Sequence, residues 1–213
     1  MNADRSRTAV VLISGGVESS TLLRWEGRTR AVVALFVDYG QKAAAAERRA
    51  VDAQCRRVGC EPVALDLRRV GAAFQGSGTW RAHVPLPHRN LVLLALGLSY
   101  AERIGAGRVC LALNREDTHA YPAAGAAFLQ RFRSMAATLA GDIAVAAPFV
   151  DLDKSAVAQL GRDLGVDFAT TYSCLLGHRR HCGACPQCRH RRAALARAGI
   201  GEPAGFYRRE PPG

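Results

Sequence analysis

Short apolar runs alternate with longer stretches of helical periodicity along the chain. Residues 8–13, Thr-Ala-Val-Val-Leu-Ile, form a continuous apolar run of strand length, which predicts a strand buried on both faces. Comparable runs at 31–37, 62–67, 108–113 and 144–149 predict four more strands. Between them lie helical patterns. One runs from the Ser14-Gly15-Gly16 turn to about Trp25, and a second over 43–58 with Val51, Cys55 and Val58 on one face. A third, over 90–104, carries apolar residues all round and reads as buried. Phe128, Phe132, Met135 and Leu139 mark the core face of a fourth, and Asp153 caps a fifth bearing Val157, Leu160 and Leu164. The Gly- and Ser-rich stretch 71–87 is the candidate flexible segment and lid. Parallel strands need helical crossovers, so this alternation predicts an α/β fold: a doubly wound, mostly parallel five-stranded sheet. Its sites should lie at the carboxyl ends of the strands.

Composition narrows the class. A chain of 213 residues, 49% of them hydrophobic, supports one well-buried domain with a small appendage. No run of eighteen apolar residues occurs, and Met1 to Arg5 carries mixed charge with no apolar leader. The expectation is a cytoplasmic protein with no membrane partner. The net charge of +11 would suit a polyanion. Yet the Arg residues are scattered, and aromatics, at 7%, do not interleave a basic stripe. Nucleic acid is therefore possible as a partner but not favoured, and nucleotide phosphates account for part of the charge.

The turn after the first strand has the chemistry of an anion site. Gly15 and Gly16 let backbone approach phosphates, the helix start offers free N–H groups, and Ser14, Ser19 and Ser20 add hydroxyls. No Lys follows the glycines, which excludes the Walker loop, and the Gly-x-Gly-x-x-Gly pattern is absent. Four of the seven cysteines, Cys174, Cys182, Cys185 and Cys188, cluster near the end of the chain. In a reducing compartment this points to metal rather than disulfides. Four thiolates suit tetrahedral Zn²⁺ in a structural site, with an iron–sulfur cluster as the rival and a neighbouring His as an alternative ligand. Ligand type and spacing favour zinc.

Ser14-Gly15-Gly16-Val17-Glu18-Ser19-Ser20 resembles the pyrophosphate motif Ser-Gly-Gly-x-Asp-Ser-Ser/Thr of the N-type ATP pyrophosphatases, the PP-loop superfamily. With Asp38-Tyr39-Gly40-Gln41, Pro87-His88-Arg89-Asn90, Asp117, Tyr121-Pro122, Pro148…Leu152-x-Lys154, Thr171-Tyr172-Ser173-Cys174 and the run Cys182 to Cys188, nearly the whole chain resembles the 7-cyano-7-deazaguanine synthase family. The resemblance implies an adenine-nucleotide α-hydrolase-like domain over residues 1–170 and a four-cysteine zinc segment over 171–213. It implies ATP with Mg²⁺, held by residues 14–20 and Tyr39. Lys154, Arg89 and Asp117 would be catalytic, and Gln41, Arg89, Asn90, Asp117 and Tyr121 would bind the acceptor. It also implies a homodimer and an ATP-dependent carbon–nitrogen ligase that turns 7-carboxy-7-deazaguanine and ammonia into the nitrile through adenylates, releasing AMP and pyrophosphate. Without the resemblance, Asn90 reads as the N-cap of the helix that follows.

Several positions depart from the family. Glu18 stands for Asp, Ala112 for Gly, and Ala123-Ala124-Gly125 for Asp-Cys-Arg. Ala43 and Ala46 stand for the family's His and Glu, with Glu47 one position on. The changes gather around the acceptor more than around ATP. They leave open the same chemistry on another carboxylic acid or deazapurine, a tRNA-modifying relative, or a non-catalytic nucleotide sensor.

Overall fold

The computed structural model describes residues 5–75 and 84–209. Five strands, β1 (Thr8–Leu12), β2 (Ala31–Asp38), β3 (Val63–Asp66), β4 (Arg108–Leu111) and β5 (Ala144–Ala146), form one sheet in the order β3-β2-β1-β4-β5. Every neighbouring pair is parallel. The helices among the described residues are α1 (Val17–Gly27), α2 (Ala44–Val58), α3 (Arg68–Ala73), α4 (Arg89–Ile104), α5 (Arg115–Ala120), α6 (Ala126–Leu139), α7 (Lys154–Asp163) and α8 (Pro186–Arg197).

The central strand β1 explains the two-sided core. Val10 and Leu12 point to one face, where Leu94, Leu98 and Ala101 of α4 and Leu129, Phe132 and Ala136 of α6 cover them. Ala9 and Val11 point to the other, under Leu22 and Leu23 of α1, Val51 and Cys55 of α2 and Val157 of α7. An all-parallel sheet must be covered on both faces, and this one is. Near the amino end of the sheet, the fully buried carboxylate of Glu26 accepts from Arg108 Nε and Arg30, each at 3.1 Å. It ties α1 to β4.

The described strands are shorter than the apolar runs: 108–113 narrows to Arg108–Leu111, and 144–149 to Ala144–Ala146. Parallel register ends where neighbouring strands end, and the remaining apolar residues turn into buried loops. The stripe expected on α6 is rotated. Leu129, Phe132 and Ala136 are buried, whereas Met135 and Leu139 are 43% and 73% exposed. Apolar residues populate more than one face of this helix, and periodicity alone did not say which face the sheet takes. Similarly α4 is not enclosed, since Leu91 is 44% exposed. Helix α3 runs into the start of the stretch 71–87 read as a flexible lid, and residues 76–83 of that stretch lie outside the described residues. The N-cap of α4 is His88 in a left-handed conformation, not Asn90. The amide of Asn90 instead donates to the Ala123 carbonyl at 3.0 Å.

The segment after α7 folds back over the start of α2. Ala43, Ala46 and Ala50 pack against Tyr172, Cys174, Cys182, Cys188 and Tyr207. Small side chains at 43 and 46 are what let the cysteine segment approach so closely. Arg191 of α8 is fully buried. Its guanidinium donates to Thr171 Oγ1, the Phe168 carbonyl and Glu202 Oε1, at 2.7, 2.6 and 2.8 Å. A buried charge so completely hydrogen-bonded fastens the returning chain.

Candidate active site

The order of the strands reverses between β1 and β4, and the crevice outside their carboxyl ends is where ligands bind in such sheets. The loop after β1 enters it first. Gly15 has φ +72, and a Cβ there would lie 2.6 Å from the Ala50 Cβ and 2.9 Å from Val51 N, so only glycine fits. Gly16 is the N-cap of α1, and its own cap hydrogen bond is missing, leaving the first-turn N–H groups turned outward. Ser14 N donates to Ser19 Oγ at 3.3 Å, shaping the turn. Tyr172 N donates to the Gly15 carbonyl at 2.8 Å, so the returning segment also braces the loop. Ser14, Gly16 and Glu18 keep surface in the crevice, while Val17 and Ser19 are buried and can offer a ligand backbone N–H groups; Ser20 N is already spent on the Gly16 carbonyl at 3.0 Å.

Glu18 meets residues from two other elements. Lys154, the first residue of α7, places Nζ 2.5 Å from Glu18 Oε1, and Asn114 Nδ2 donates to the same oxygen at 2.9 Å. Burial alone would raise the Glu18 carboxyl, but the Lys154 charge and hydrogen bond, with help from Asn114, bring it below the usual value. Lys154 sits there because Asp153 caps α7, accepting from Ala156 N at 2.8 Å, as the sequence predicts. Asn114 caps α5 through a reciprocal box with Asp117: Asp117 N donates to Asn114 Oδ1 at 2.9 Å, and Asn114 N to Asp117 Oδ2 at 3.3 Å. Asp117 is raised, first by burial and then by the charge of Glu18.

The other wall comes from β2, α2 and α4. Gln41 is spent on its own loop: Oε1 accepts from Tyr39 N at 2.9 Å, and Nε2 donates to Val37 O at 3.2 Å and Glu47 Oε2 at 2.8 Å. Tyr39 packs its ring with Val37 and Leu86. Burial pushes its hydroxyl up to about 12. Arg89 is half-buried at the start of α4, and its charge acts on Glu47 on one side and Asp117 on the other. Burial raises Glu47 to about 6 against the pull of Gln41 and Arg89. Tyr121 ends α5, with its N–H donating to the Asp117 carbonyl at 3.0 Å.

Two residues of this crevice escaped the sequence reading. Glu47 was visible only as an acid one position out of register, and in the fold it accepts from Gln41 Nε2. Asn114 carried a signal, an Asn directly after a strand with Asp three residues on, but a capping box does not by itself announce a site.

The cysteines converge as their spacing predicts. The Sγ atoms of Cys174, Cys182, Cys185 and Cys188 all lie within 4.8 Å of one another. Cys182 and Cys188 Sγ are 3.8 Å apart. A tetrahedron with metal–sulfur bonds of about 2.3 Å has edges of about 3.8 Å. Backbone N–H groups of Cys182, Ala184, Cys185 and Cys188 donate to these sulfurs at 3.2–3.4 Å, a pattern that suits thiolates. The site can therefore hold a metal ion. His181 stands outside the cluster: its Nε2 accepts from Ser173 N at 2.9 Å, and the four ligand atoms that converge are all cysteine sulfurs.

A parallel α/β sheet with a glycine turn at its switch point, a lysine facing that turn and no Walker lysine defines a PP-loop nucleotide-binding protein. The comparisons narrow the class. The family model described as "Queuosine biosynthesis protein QueC" matches residues 8–199. The 7-cyano-7-deazaguanine synthase of Anaeromyxobacter dehalogenans is 36% identical over 94% of this chain and 96% of that protein. The 7-cyano-7-deazaguanine synthase 1 of Sulfurisphaera tokodaii is 31% identical over 93% of this chain and 97% of that protein. Among solved structures, an NMN synthetase from Francisella tularensis superposes with TM-score 0.59 at 14% identity, over 93% of this chain and 80% of that one. An NH3-dependent NAD synthetase from Campylobacter jejuni gives TM-score 0.53 at 19% identity, over 76% and 66%. These two share the fold. The chain belongs to the 7-cyano-7-deazaguanine synthase family, as a divergent member.

Proposed function

We propose that this chain converts 7-carboxy-7-deazaguanine and ammonia to 7-cyano-7-deazaguanine, consuming ATP and releasing AMP and pyrophosphate. The observation that carries the reading is the meeting of Lys154, Glu18 and the open first turn of α1 at the switch point of the sheet, in a chain that the family model matches over residues 8–199. The N–H groups of residues 16–19 and the Lys154 ammonium would take the charge of the departing pyrophosphate. The acceptor's carboxylate oxygen attacks the α-phosphorus, and pyrophosphate leaves. Ammonia then forms the C–N bond, the C–O bond to AMP breaks, and a proton leaves the nitrogen. In the second round the amide oxygen is adenylated. Its C–O bond breaks to release AMP, and loss of both amide protons leaves the nitrile.

Arg89 would orient the acceptor between Glu47 and Asp117, and Asn90 fixes the 122–124 turn on which Tyr121 stands. The carboxylates of Glu18 and Asp117, which repel each other here, fit a Mg²⁺ ion brought in with ATP. The four cysteines fit Zn²⁺ as a closed structural site, holding the segment whose Tyr172 braces Gly15. A four-thiolate metal site suits a reducing compartment, and a cytoplasmic location goes with this reading; the family resemblance adds a homodimer, testable by sedimentation. The decisive experiment incubates zinc-loaded protein with Mg·ATP, ammonia and 7-carboxy-7-deazaguanine. AMP and nitrile are expected; the folded protein yielding neither would overturn the assignment.

A further inference from the structure

Asn114 is 3% exposed and lies directly across the switch-point crevice from the pyrophosphate loop. Its amide has no freedom. Oδ1 is committed to Asp117 N, which leaves Nδ2 as the donor aimed at Glu18 Oε1. Glu18 is thus held twice, by Lys154 and by Asn114, through one oxygen. Both partners come from elements remote in sequence, and the Glu18 and Lys154 side chains are only 15% and 12% exposed. A phosphate entering at the first turn of α1 competes for Lys154, because one ammonium cannot neutralise Glu18 and a pyrophosphate equally. A mostly buried carboxylate that gives up Lys154 keeps its place, for the Mg²⁺ that ATP would bring, only if a neutral donor still holds it.

We propose, on the reading that ATP occupies this crevice, that Asn114 is a positioning residue that retains the Glu18 carboxylate when Lys154 is handed from Glu18 to the phosphates. The box with Asp117 extends the same restraint to the acceptor side, so one amide fixes the carboxylates that flank the two substrates. Asn114 touches neither substrate in this role; it acts through Glu18.

A double-mutant cycle on Mg·ATP affinity tests it, measured by titration calorimetry at fixed Mg²⁺ with no acceptor present. Asn114→Ser keeps a good N-cap for α5 but cannot reach Glu18. Loss of a hydrogen bond to a charged group predicts about tenfold weaker ATP binding or more. In a Glu18→Ala background the same substitution should change affinity by less than about twofold, since its partner is gone. Asn114→Asp also preserves the cap but sets a second carboxylate against Glu18, and its loss should equal or exceed that of Asn114→Ser. Equal losses in both backgrounds, or wild-type affinity in either Asn114 variant, would overturn the proposal. If the wild-type protein binds Mg·ATP yet releases no AMP with the deazaguanine acid and ammonia, the reaction assignment falls while the cycle still reads the role of Asn114.

Discussion

Replacing Glu47 by Gln should stabilise the protein at neutral pH, with a pH dependence that identifies the cause. Glu47 is buried enough that its carboxyl rises from 4.5 to about 6, desolvation outweighing the Gln41 hydrogen bond and the Arg89 charge. Below pH 4.5 the group is protonated in both folded and unfolded chains and costs nothing. Between 4.5 and about 6 the folded chain binds the proton more tightly than the unfolded one, so this term loses stability as pH rises. Above about 6 the ionised form is carried at full cost. A rise of that size is worth up to about 2 kcal/mol. Gln at 47 stays neutral, and its carbonyl oxygen can still accept from Gln41 Nε2. Urea unfolding from pH 4 to 8 should give a variant-minus-wild-type difference near zero at the acid end. It should grow through pH 5–6 to a plateau of up to about 2 kcal/mol in favour of the variant. The groups facing Glu47 are Arg89 on α4, Asp38 and Tyr39 at the end of β2, and Tyr172 from the returning segment. None of them changes protonation identity in the substitution. A variant less stable than wild type at pH 7.5, or a difference independent of pH, would refute the reasoning. The expected companion is a loss of AMP release, on the proposal that Arg89, whose charge Glu47 faces, orients the acceptor.

Gly15→Ala should cost about 1–2 kcal/mol in left-handed backbone strain alone, and more as the Cβ collides with Ala50. Mg·ATP affinity should fall with it, and wild-type calorimetry from the variant would count against the loop geometry. Cys188→Ser, or chelation of the wild-type protein, should abolish stoichiometric metal in elemental analysis, lower the melting temperature and suppress AMP release, because Tyr172 no longer braces Gly15. Retained activity in metal-free protein would sink that link. Glu26→Ala should cost about 3 kcal/mol in urea unfolding, at the low end for a buried pair because Arg108 and Arg30 are 27% and 31% exposed and can turn to water. A loss below about 1 kcal/mol would mean the pair adds little beyond a surface bridge.

The sheet was legible because it is buried twice over. Strands covered on both faces must be apolar throughout, so runs such as 8–13 announced themselves, and the crossover requirement supplied the direction. What stayed hidden depended on contacts between elements. The rotation of α6, with Phe132 inward and Met135 outward, is decided by which face the sheet offers. The cap of α4 was misplaced because His88 takes a left-handed turn that a sequence pattern does not display. Arg191 is one of several basic residues beside the cysteines in the sequence, and only the fold reveals the oxygens that surround it.

The departures from the family pattern follow the same logic. Glu18 keeps the family's carboxylate but carries it one methylene further. In the fold, that carboxylate meets Lys154 at the start of α7 and Asn114 at the N-cap of α5. Glu47 looked out of register because position was counted along the chain. Counted in space, it meets Gln41, while Ala43 and Ala46 leave room for the cysteine segment to close over the start of α2. A substitution near this crevice is therefore to be judged by which element it now reaches. By that measure Ala123-Ala124-Gly125 stands apart: the Asn90 contact holds its backbone turn, and the turn itself carries none of the acid, thiol and base of the family pattern.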